Sequence, residues 1–482
     1  YDIARLLKPG RNVLGLWLGA SWSIFPSYKT PDKPQTPIVL AQAEIELPGG
    51  RVERVVTDAS WKTRPGPSTT IGQWSFMNFG GELVDASRDL PDWCGAGLDD
   101  AGWAAAVEHA PRLELSAQRV EPNRIVKAIP AVAVEERPNG CWRVDMGVNF
   151  VGWMEIDVAG PPGKRVDFLF SERADQEMTH NLRSAYVIGP AGKGTFRNRF
   201  NYHSGRWITV KGLESKPDLK AFRGLHIRTD YRPAAQFACS SPLLNDLYGL
   251  FTWTFDNLSL GGYVVDCPQR ERMGYGGDAH ASTEPALNTW LLGAFYSKWA
   301  EDWRDVQGKE AAWGTGAKPG EPGAGGRTSD GNLPYTAPTY WGGGGPGWSG
   351  FCVSLPWMVH RQYGDRRVLE ENIRTIERWL AFLETKAKDD LLVRWGGQWD
   401  FLGDWLWPGA KGVNGDTRET LFFNNCYWVF NLQTAARIAD VLGKAEAAGR
   451  WRARADAVRQ AIHKAFFNAD DASYVDGMQA YL

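Results

Sequence analysis

The sequence is poor in cysteine and has no concentration of positive charge. Its six cysteines stand singly along 482 residues, without a Cys-x-x-Cys pair, which argues against a disulfide scaffold or a structural zinc site. We expect these thiols to be buried. Basic and acidic residues nearly balance, at 54 and 56, and no basic run occurs, so nucleic acid is not an expected partner. No apolar run approaches the roughly 20 residues that span a bilayer, so we expect no membrane insertion.

Two common hydrolase motifs are also missing. The sequence contains neither His-Glu-x-x-His nor Gly-x-Ser-x-Gly, so zinc-dependent hydrolysis and serine-nucleophile chemistry have no support. Gly342-x-Gly-x-x-Gly347 matches a dinucleotide-binding fingerprint by chance, because no strand precedes it and no βαβ unit surrounds it. We therefore expect neither a metal nor a cofactor.

Tryptophan, in contrast, is abundant. The chain has 24 tryptophans beside 15 tyrosines and 21 phenylalanines. Trp presents a flat apolar face that stacks on a sugar ring, and its N–H reaches a hydroxyl. Many of these rings will belong to the core, but their number favours a carbohydrate ligand.

The spacing of apolar residues changes near residue 236. Before it, short runs broken by Pro, Gly, Asn and Asp predict two β-sandwich domains, at residues 1–115 and 116–235. The predicted strands are 12–18, 38–47, 142–146, 152–158, 165–170 and 207–210.

From residue 236 to 482 the spacing is helical. The predicted helices begin at Pro242 and lie near 282–306, 350–363, 367–388, 417–442 and 444–467. Helices that follow one another without strands fit a helical toroid, and an ordinary helical array fits them as well. A connection of about forty residues, rich in Gly and Pro, precedes residue 350 and predicts a functional lid or rim.

The chemistry of the chain is concentrated in residues 266–280. This stretch holds three carboxylates, Asp266, Glu271 and Asp278. Pro268 and the glycines at 274, 276 and 277 oppose a regular helix, so the stretch is predicted to run as a loop that presents side chains to a cavity. A structural ion-pair loop is the alternative interpretation.

These residues and a series of flanking segments resemble a bacterial α-L-rhamnosidase of glycoside hydrolase family 78. The specific segment is 266–278, read as Asp-Cys-Pro-Gln-Arg-Glu-Arg-Met-Gly-Tyr-Gly-Gly-Asp. The others follow in the family's order: 2–15, 81–87, Trp103, 145–153, 160–163, 171–172, 200–207, 237–245, 330–334, Pro338, 347–348 and 403–406. The resemblance implies two N-terminal β-sandwich domains followed by an (α/α)6 barrel catalytic domain.

The same resemblance implies an inverting hydrolase that removes terminal α-L-rhamnose from an oligosaccharide, polysaccharide or glycoside. A carboxylic acid then protonates the glycosidic oxygen while a carboxylate activates water on the opposite face of the sugar. Glu271 matches the family's general acid, and the neighbouring anions Asp266 and Asp278 help it to keep its proton. We expect Arg270 to point at the sugar or at Asp266, because an arginine on Glu271 would favour the ionised form.

The remaining site residues follow from the family pattern. Asp266 and Asp278 match positions that hold rhamnose hydroxyls, and Arg270 also belongs to the predicted substrate site. Tyr275 stands where the family usually has Trp, and its smaller ring can still stack. Trp348 and Trp405 match aromatic walls around the non-reducing rhamnose, with core packing as the alternative. Gly350 departs from the family, because an acidic residue is expected there.

The general base of the family is a Glu far downstream, so we expect it beyond Leu482. The chain then represents an internal piece of a longer protein, inactive by itself, from a bacterial cytoplasm or periplasm. Two other functions stay open. One is a polysaccharide lyase acting at rhamnose-uronate linkages, with Tyr275 or His280 as the base. The other is a non-catalytic sugar-binding relative. The sequence leaves the oligomeric state open.

Overall fold

The computed structural model describes residues 1–20, 22, 37–109, 115–308, 331–340, 345–395, 401–403 and 417–475. The chain forms two compact units. One contains Tyr1–Ala117 and Ile125–His226, and the other contains Gln118–Arg124 and Ile227–Leu482. Among the residues that the structure describes, every helix is too short or too polar to cross a membrane.

The chain up to residue 229 is rich in β-strands. They are β1 Gln42–Glu46, β2 Val52–Val56, β3 Lys62–Thr63, β4 Ser68–Ile71, β5 Gly81–Asp85, β6 Ala104–Ala105, β7 Asn123–Pro130, β8 Ala133–Arg137, β9 Cys141–Ala159, β10 Arg165–Ser171, β11 Arg183–Val187, β12 Lys193–Arg197, β13 His203–Lys211 and β14 Phe222–Thr229. Ten of them form one sheet in the order β4-β5-β11-β10-β13-β9-β14-β7, with β8 and β12 also paired to β9.

Strand β9 organises this sheet. Its first residues pair with β8 and β13, and its last residues pair with β12 and β14. The strands predicted at 142–146 and 152–158 are therefore parts of one 19-residue strand. The predictions at 165–170 and 207–210 are confirmed by β10 and β13. The predicted strand at 12–18 is wrong, because residues 11–20 are not in a strand. Their apolar residues alternate, but a strand also needs a neighbouring strand to pair with, and alternation does not supply one.

A buried carboxylate joins β5 to the segment between β12 and β13 through hydrogen bonds. Glu82 is 5% exposed, and its side chain accepts hydrogen bonds from the backbone N–H groups of Arg199, Phe200 and Asn201 at 2.7–3.1 Å. Burial raises the pKa of this carboxyl, while the three N–H donors act in the opposite direction. The carboxylate thus satisfies backbone donors that the sheet itself does not pair.

The second unit is helical, with short strands between its helices. The helices are α1 Pro242–Leu258, α2 Gly276–Thr289, α3 Gly293–Val306, α4 Phe351–Tyr363, α5 Arg367–Glu384, α6 Arg418–Val441 and α7 Ala445–Phe466. The strands are β15 Arg232–Pro233, β16 Ser259–Leu260, β17 Tyr263–Val264, β18 Trp290–Leu291, β19 Ala387–Lys388 and β20 Leu391–Leu392. Helix α4 packs against α2, α3, α5 and α6.

Periodicity predicted most of these helices. The helix predicted to begin at Pro242 does begin there, and the predictions for α4, α5, α6 and α7 are confirmed to within four residues at each end. The single helix predicted near 282–306 is wrong. The chain instead breaks at Trp290 and Leu291, which pair with Pro233 and Arg232, so two shorter helices, α2 and α3, take its place.

Several tryptophans build the core of this unit. Trp299, Trp303, Trp379 and Trp428 are among its largest fully buried side chains. The indole of Trp299 donates to the backbone oxygen of Ala337 at 2.9 Å. At least part of the tryptophan excess therefore serves packing rather than sugar binding.

The cysteines agree only in part with the prediction. All six are free. Cys141 and Cys352 are buried and Cys267 is partly buried, but Cys94, Cys239 and Cys426 are exposed, so burial was wrongly predicted for these three.

Candidate active site

A closed loop, Val265–Tyr275, joins β17 to α2. The backbone N–H of Asp266 donates to the oxygen of Met273 at 2.9 Å, and that of Arg272 donates to Cys267 at 3.0 Å. Arg272 has a φ of 60°, is 1% exposed and donates from Nε to the oxygen of Pro268 at 2.7 Å. Arg272 thus holds the loop closed from within. The predicted loop is confirmed for residues 266–275.

The prediction is wrong for residues 276–280, because they form the first turn of α2. Their glycines are required by packing rather than by a turn. A Cβ at Gly276 would lie 2.0 Å from the backbone oxygen of Trp348, and one at Gly277 would lie 2.6 Å from the indole ring of Trp348. The helix therefore begins where the absence of side chains lets Trp348 approach, and it places Asp278 in its first turn.

Asp266 is held by two donors of its own loop. The backbone N–H of Met273 donates to Oδ1 at 3.1 Å, and the thiol of Cys267 donates to Oδ2 at 2.8 Å. Burial, with the charge of Glu271 added, raises the pKa of Asp266 to about 7, although both donors act against this rise. This carboxyl therefore exchanges its proton near neutral pH, and it can donate to a hydroxyl as well as accept from one.

Glu271 is engaged at both oxygens. Its side chain is only 13% exposed; Oε1 lies 2.8 Å from Nη2 of Arg270, and Oε2 accepts from the hydroxyl of Tyr275 at 2.5 Å. The expectation that Arg270 points at the sugar or at Asp266 is therefore wrong in this structure. The two residues are adjacent in a tight turn, so the guanidinium reaches the neighbouring carboxylate.

Asp278 completes the group of carboxylates from the first turn of α2. Part of the residue is exposed to solvent, but protein atoms surround most of its carboxyl. This desolvation raises the pKa of Asp278 to about 6, and the charge of Glu271 adds to the rise. The rise is smaller than for Asp266. The loop and the helix N-terminus thus place two acids with raised pKa values in the electrostatic field of Glu271.

The Gly/Pro-rich connection before α4 supplies a second wall. The N–H of Gly276 donates to the oxygen of Tyr335 at 3.0 Å, and that of Ala337 donates to Gly274, also at 3.0 Å. The rings of Tyr275 and Tyr335 are stacked, with centroids 5.4 Å apart and planes 12° apart. Residues 331–340 therefore lie directly against the loop, where a rim was predicted.

The remaining predicted residues fall in different places. Trp348 lies beside α2 but is only 7% exposed, which fits the core-packing alternative. Trp405 lies outside the described residues. Gly350 precedes α4, and a Cβ there would lie 2.2 Å from the oxygen of Pro346 and 2.3 Å from Oδ1 of Asn431. Packing thus explains the absence of an acidic side chain at this position.

One group of side chains has the composition of a metal site. Ligand atoms of Asp266, Cys267 and Glu271 all lie within 4.8 Å of one another. The thiol, however, already donates to Asp266, and burial raises the pKa of Cys267 above its ordinary value. A protonated thiol is a poor ligand, so these residues suit proton chemistry better than metal binding.

The two bases required by the lyase hypothesis are not available. His280 contacts the oxygen of Gly347 at 3.0 Å and the hydroxyl of Ser354 at 2.7 Å, and burial lowers its pKa to about 4. Burial raises the pKa of Tyr275 well above its ordinary value, and the nearby Tyr335 and Glu271 add to this. Both groups therefore support the site without serving as its base.

Sequence reasoning missed two contributors. Cys267 was considered only as a buried thiol, and Tyr335 was not singled out. Their neighbours in the sequence contained a signal: Cys267 follows Asp266 directly, and Tyr335 lies in the connection predicted to form a rim. Neither the thiol hydrogen bond nor the stacked ring can be derived without the closed loop geometry.

Three family models of known proteins match successive segments of the chain. A family model described as the bacterial alpha-L-rhamnosidase 6 hairpin glycosidase domain matches residues 232–482. The alpha-L-rhamnosidase N-terminal domain matches residues 1–127, and the bacterial alpha-L-rhamnosidase concanavalin-like domain matches residues 135–228. The chain is thus multidomain, with β-rich N-terminal domains before a helical glycosidase domain.

Curated relatives and solved structures agree. An alpha-L-rhamnosidase of Streptomyces avermitilis is 29% identical over 100% of this chain and 44% of its own length; one of Formosa agariphila is 26% identical over 97% and 50%. The crystal structure of the Streptomyces avermitilis enzyme complexed with L-rhamnose gives a TM-score of 0.77 at 28% identity, over 90% of this chain and 40% of that one. The alpha-L-rhamnosidase structure from Dictyoglumus thermophilum gives 0.78 at 26% identity, over 89% and 46%.

The chain spans about half or less of the length of these relatives. The match to the six-hairpin glycosidase model alone extends over more than half of the 482 residues, and the chain therefore belongs to the bacterial α-L-rhamnosidase family.

Proposed function

We propose that the full-length protein is an inverting, exo-acting α-L-rhamnosidase in which Glu271 is the general acid. The observation that carries the proposal is the setting of Glu271 inside the glycosidase domain: its carboxylate contacts Arg270 and Tyr275, and its charge helps to raise the pKa values of Asp266 and Asp278 to about 7 and about 6. The rhamnosidase names of the relatives, one of them complexed with L-rhamnose, favour hydrolysis over the lyase and binding alternatives.

Glu271 delivers the proton to the glycosidic oxygen as the bond to the sugar breaks. Its two oxygens contact Arg270 and Tyr275, and its charge acts on the neighbouring carboxyls of Asp266 and Asp278. Asp266 and Asp278 hold rhamnose hydroxyls, since carboxylates form strong hydrogen bonds to them. Trp348 and Trp405 remain proposed contacts of the sugar.

The general base must be a different carboxylate. An inverting pair stands about 6.5–9.5 Å apart so that a water fits between the second group and the sugar. One carboxylate oxygen of Asp266 and one of Glu271 lie within 4.8 Å of each other, which is closer than the spacing of an inverting pair, so Asp266 is not the base in this proposal. In line with the family pattern, we place the base outside residues 1–482, in the part of the relatives that this chain does not match.

We also propose that the helical unit belongs to an (α/α)6 barrel and that the β-rich region consists of two β-sandwiches, with boundaries near residues 115 and 235. The six-hairpin description supports the barrel. Helix α1 supports it further, because Leu243, Leu244, Leu247 and Leu250 are all at least half exposed, as expected of a face that further helices of a barrel cover. A crystal structure of the full-length protein tests both proposals.

Hydrolysis of two rhamnosides by the full-length protein tests the function. p-Nitrophenyl α-L-rhamnoside reports turnover through a leaving group that departs without protonation, and a rhamnosyl disaccharide has a sugar leaving group that needs the acid. We expect Glu271→Gln to lower the disaccharide rate by about 10²–10⁴-fold and the nitrophenyl rate much less.

Glu284→Gln is the matched control, because Glu284 lies on α2 and is exposed. It should leave both rates unchanged. No release of rhamnose from either substrate by the unchanged protein would refute the proposal, and an undiminished disaccharide rate in Glu271→Gln would refute the role of Glu271.

A further inference from the structure

Each oxygen of the Glu271 carboxylate has a different partner. Tyr275 donates to Oε2 at 2.5 Å, and Arg270 approaches Oε1 at 2.8 Å. The two partners differ in how firmly they are held. The side chain of Arg270 is 45% exposed, whereas the ring of Tyr275 is stacked on Tyr335, which is 4% exposed. Oε2 therefore has a fixed partner and Oε1 a more mobile one.

The backbone fixes Tyr275 as firmly as its ring does. Tyr275 pairs with Thr336 in an isolated β-bridge, and the next residue, Gly276, donates to Tyr335. Tyr275 is also the N-cap residue of α2, in an extended conformation. The phenol is thus anchored to a helix end and to the rim segment, and it reaches Glu271 across the loop.

The phenol keeps its proton at neutral pH. Burial, with Tyr335 and Glu271 contributing, raises the pKa of Tyr275 well above its ordinary value. The hydroxyl is therefore a permanent donor, and Oε2 is an acceptor whether Glu271 is protonated or ionised. With Oε2 occupied as the acceptor, the proton to be transferred is assigned to Oε1, the oxygen whose partner Arg270 is exposed.

On the basis of the function proposed above, we propose that Tyr275 is a positioning residue whose hydroxyl orients Glu271, so that Oε1 carries the proton to the glycosidic oxygen. As the proton leaves Oε1, negative charge grows on the carboxylate, and the bond from Tyr275 becomes charge-assisted and stronger. Tyr275 therefore stabilises the transition state in proportion to the extent of proton transfer. This role requires the hydroxyl and not only the ring.

The dependence on the leaving group separates this role from stacking and from plain structural support. In the full-length protein we expect Tyr275→Phe to lower kcat for a rhamnosyl disaccharide by about tenfold or more, the size of one charge-assisted hydrogen bond. For p-nitrophenyl α-L-rhamnoside, whose leaving group needs no proton, kcat should change by less than about threefold. KM should stay nearly constant for both, since Phe preserves the ring.

Tyr231→Phe is the matched control. Tyr231 is 2% exposed and donates to Oδ1 of Asp256 at 2.8 Å, so this variant removes the same kind of hydrogen bond between residues that are not part of the loop. It should alter both rates equally or not at all. The unfolding midpoint of each variant is measured alongside, so that loss of folded protein is separated from loss of rate.

The possible results are distinct. A preferential loss of the disaccharide rate in Tyr275→Phe supports the proposal. Equal losses on both substrates, a rise in KM as the only effect, or unchanged rates overturn it while leaving the proposed function standing. Failure of the unchanged protein to release rhamnose from either substrate overturns the proposed function, and this inference with it.

Discussion

Asp266 is partly withdrawn from water beside another carboxylate, and no arginine or lysine pairs with it in the described part of the chain. Its partners are a thiol and one backbone N–H, which are weaker than a cation would be. The fold therefore favours the neutral form of this acid, as the pKa of about 7 indicates. In a structural ion-pair loop, a cation beside Asp266 would instead favour the ionised carboxylate.

We predict that Asp266→Asn has opposite effects on activity and stability. Turnover of the disaccharide should fall by about 10- to 100-fold, since Asn replaces an oxygen that accepts from the sugar, or donates to it when protonated, by an NH2 group. The folded state should become more stable than the unchanged protein near pH 8, because the variant no longer buries a negative charge. Kinetics and denaturant unfolding of the same preparations measure both effects.

The pH dependence has a definite sign. The pKa of Asp266 is raised from 3.8 in the unfolded chain to about 7 in the folded protein. The contribution of this carboxyl to the free energy of unfolding is therefore fully present below pH 3.8, and it is lost as the pH rises to about 7. The advantage of Asp266→Asn should therefore grow between about pH 5 and pH 8, by about 2 kcal/mol after allowance for partial solvent screening. A variant that is less stable at every pH would support the ion-pair interpretation instead.

Asp302→Asn provides the contrast. Burial also raises the pKa of Asp302 to about 6, but Nζ of Lys298 lies 2.6 Å from it. Removing this carboxylate leaves a partly buried lysine without its partner. The variant should therefore be less stable near neutral pH, with an unchanged kcat.

At the residue scale, the sequence predicted which side chains lie close together but not the directions in which they point. Asp266, Glu271, Tyr275 and Asp278 were all identified from the loop, and the structure brings them to one place. Arg270 was assigned the wrong partner. The direction of a long side chain depends on the turn beneath it, and here Arg272 sets that turn from a left-handed, buried conformation that sequence patterns do not show.

At the scale of the element, the N-terminus of α2 shows how packing can override local propensity. Gly276 and Gly277 made a helix improbable on local grounds, yet the helix forms because Trp348 lies against it. A Cβ at Gly276 would meet a backbone oxygen at 2.0 Å, and backbone cannot yield as a flexible side chain can.

We predict that Gly276→Ala destabilises the protein by about 1–3 kcal/mol through this overlap, even though Ala favours helices by about 1 kcal/mol over Gly. The rate should fall as well, since Tyr275 and Asp278 flank the displaced turn. Gly249→Ala in α1 is the matched control: nothing lies within 4 Å of its added Cβ, so it should be neutral or stabilising. Chemical denaturation of both variants gives the comparison. Equal effects at the two glycines would show that packing against Trp348 does not determine where α2 begins.

Elements whose pattern is local were predicted well. Helices α5 and α6 repeat apolar residues over 18 and 24 residues, and their ends were placed to within a few residues. Elements that depend on distant partners were not. Trp290 and Leu291 interrupt a helical pattern because Arg232 and Pro233 pair with them, and residues 11–20 alternate without forming a strand. Pairing over long separations leaves little trace in a local window.

At the scale of the whole molecule, the order of the segments was more informative than any one of them. Composition and periodicity alone fitted either a toroid or an open helical array, and the ordered resemblance selected a multidomain glycosidase. The family models that match residues 1–127, 135–228 and 232–482 confirm this coarse architecture. The exact limits of the domains remain predictions.

The stereochemistry of the product tests how the whole protein assembles its two carboxylates. One oxygen of Asp266 and one of Glu271 lie within 4.8 Å of each other, which is nearer to the spacing of a retaining pair, about 5–5.5 Å, than to that of an inverting pair. A retaining mechanism, however, requires an ionised nucleophile, and burial together with the charge of Glu271 raises the pKa of Asp266, which favours its protonated form. We therefore predict inversion, with ¹H NMR of the first product from an α-L-rhamnoside showing the β anomer before mutarotation. If the α anomer came first, Asp266 would be assigned as the nucleophile, and the search for a base beyond residue 482 would end.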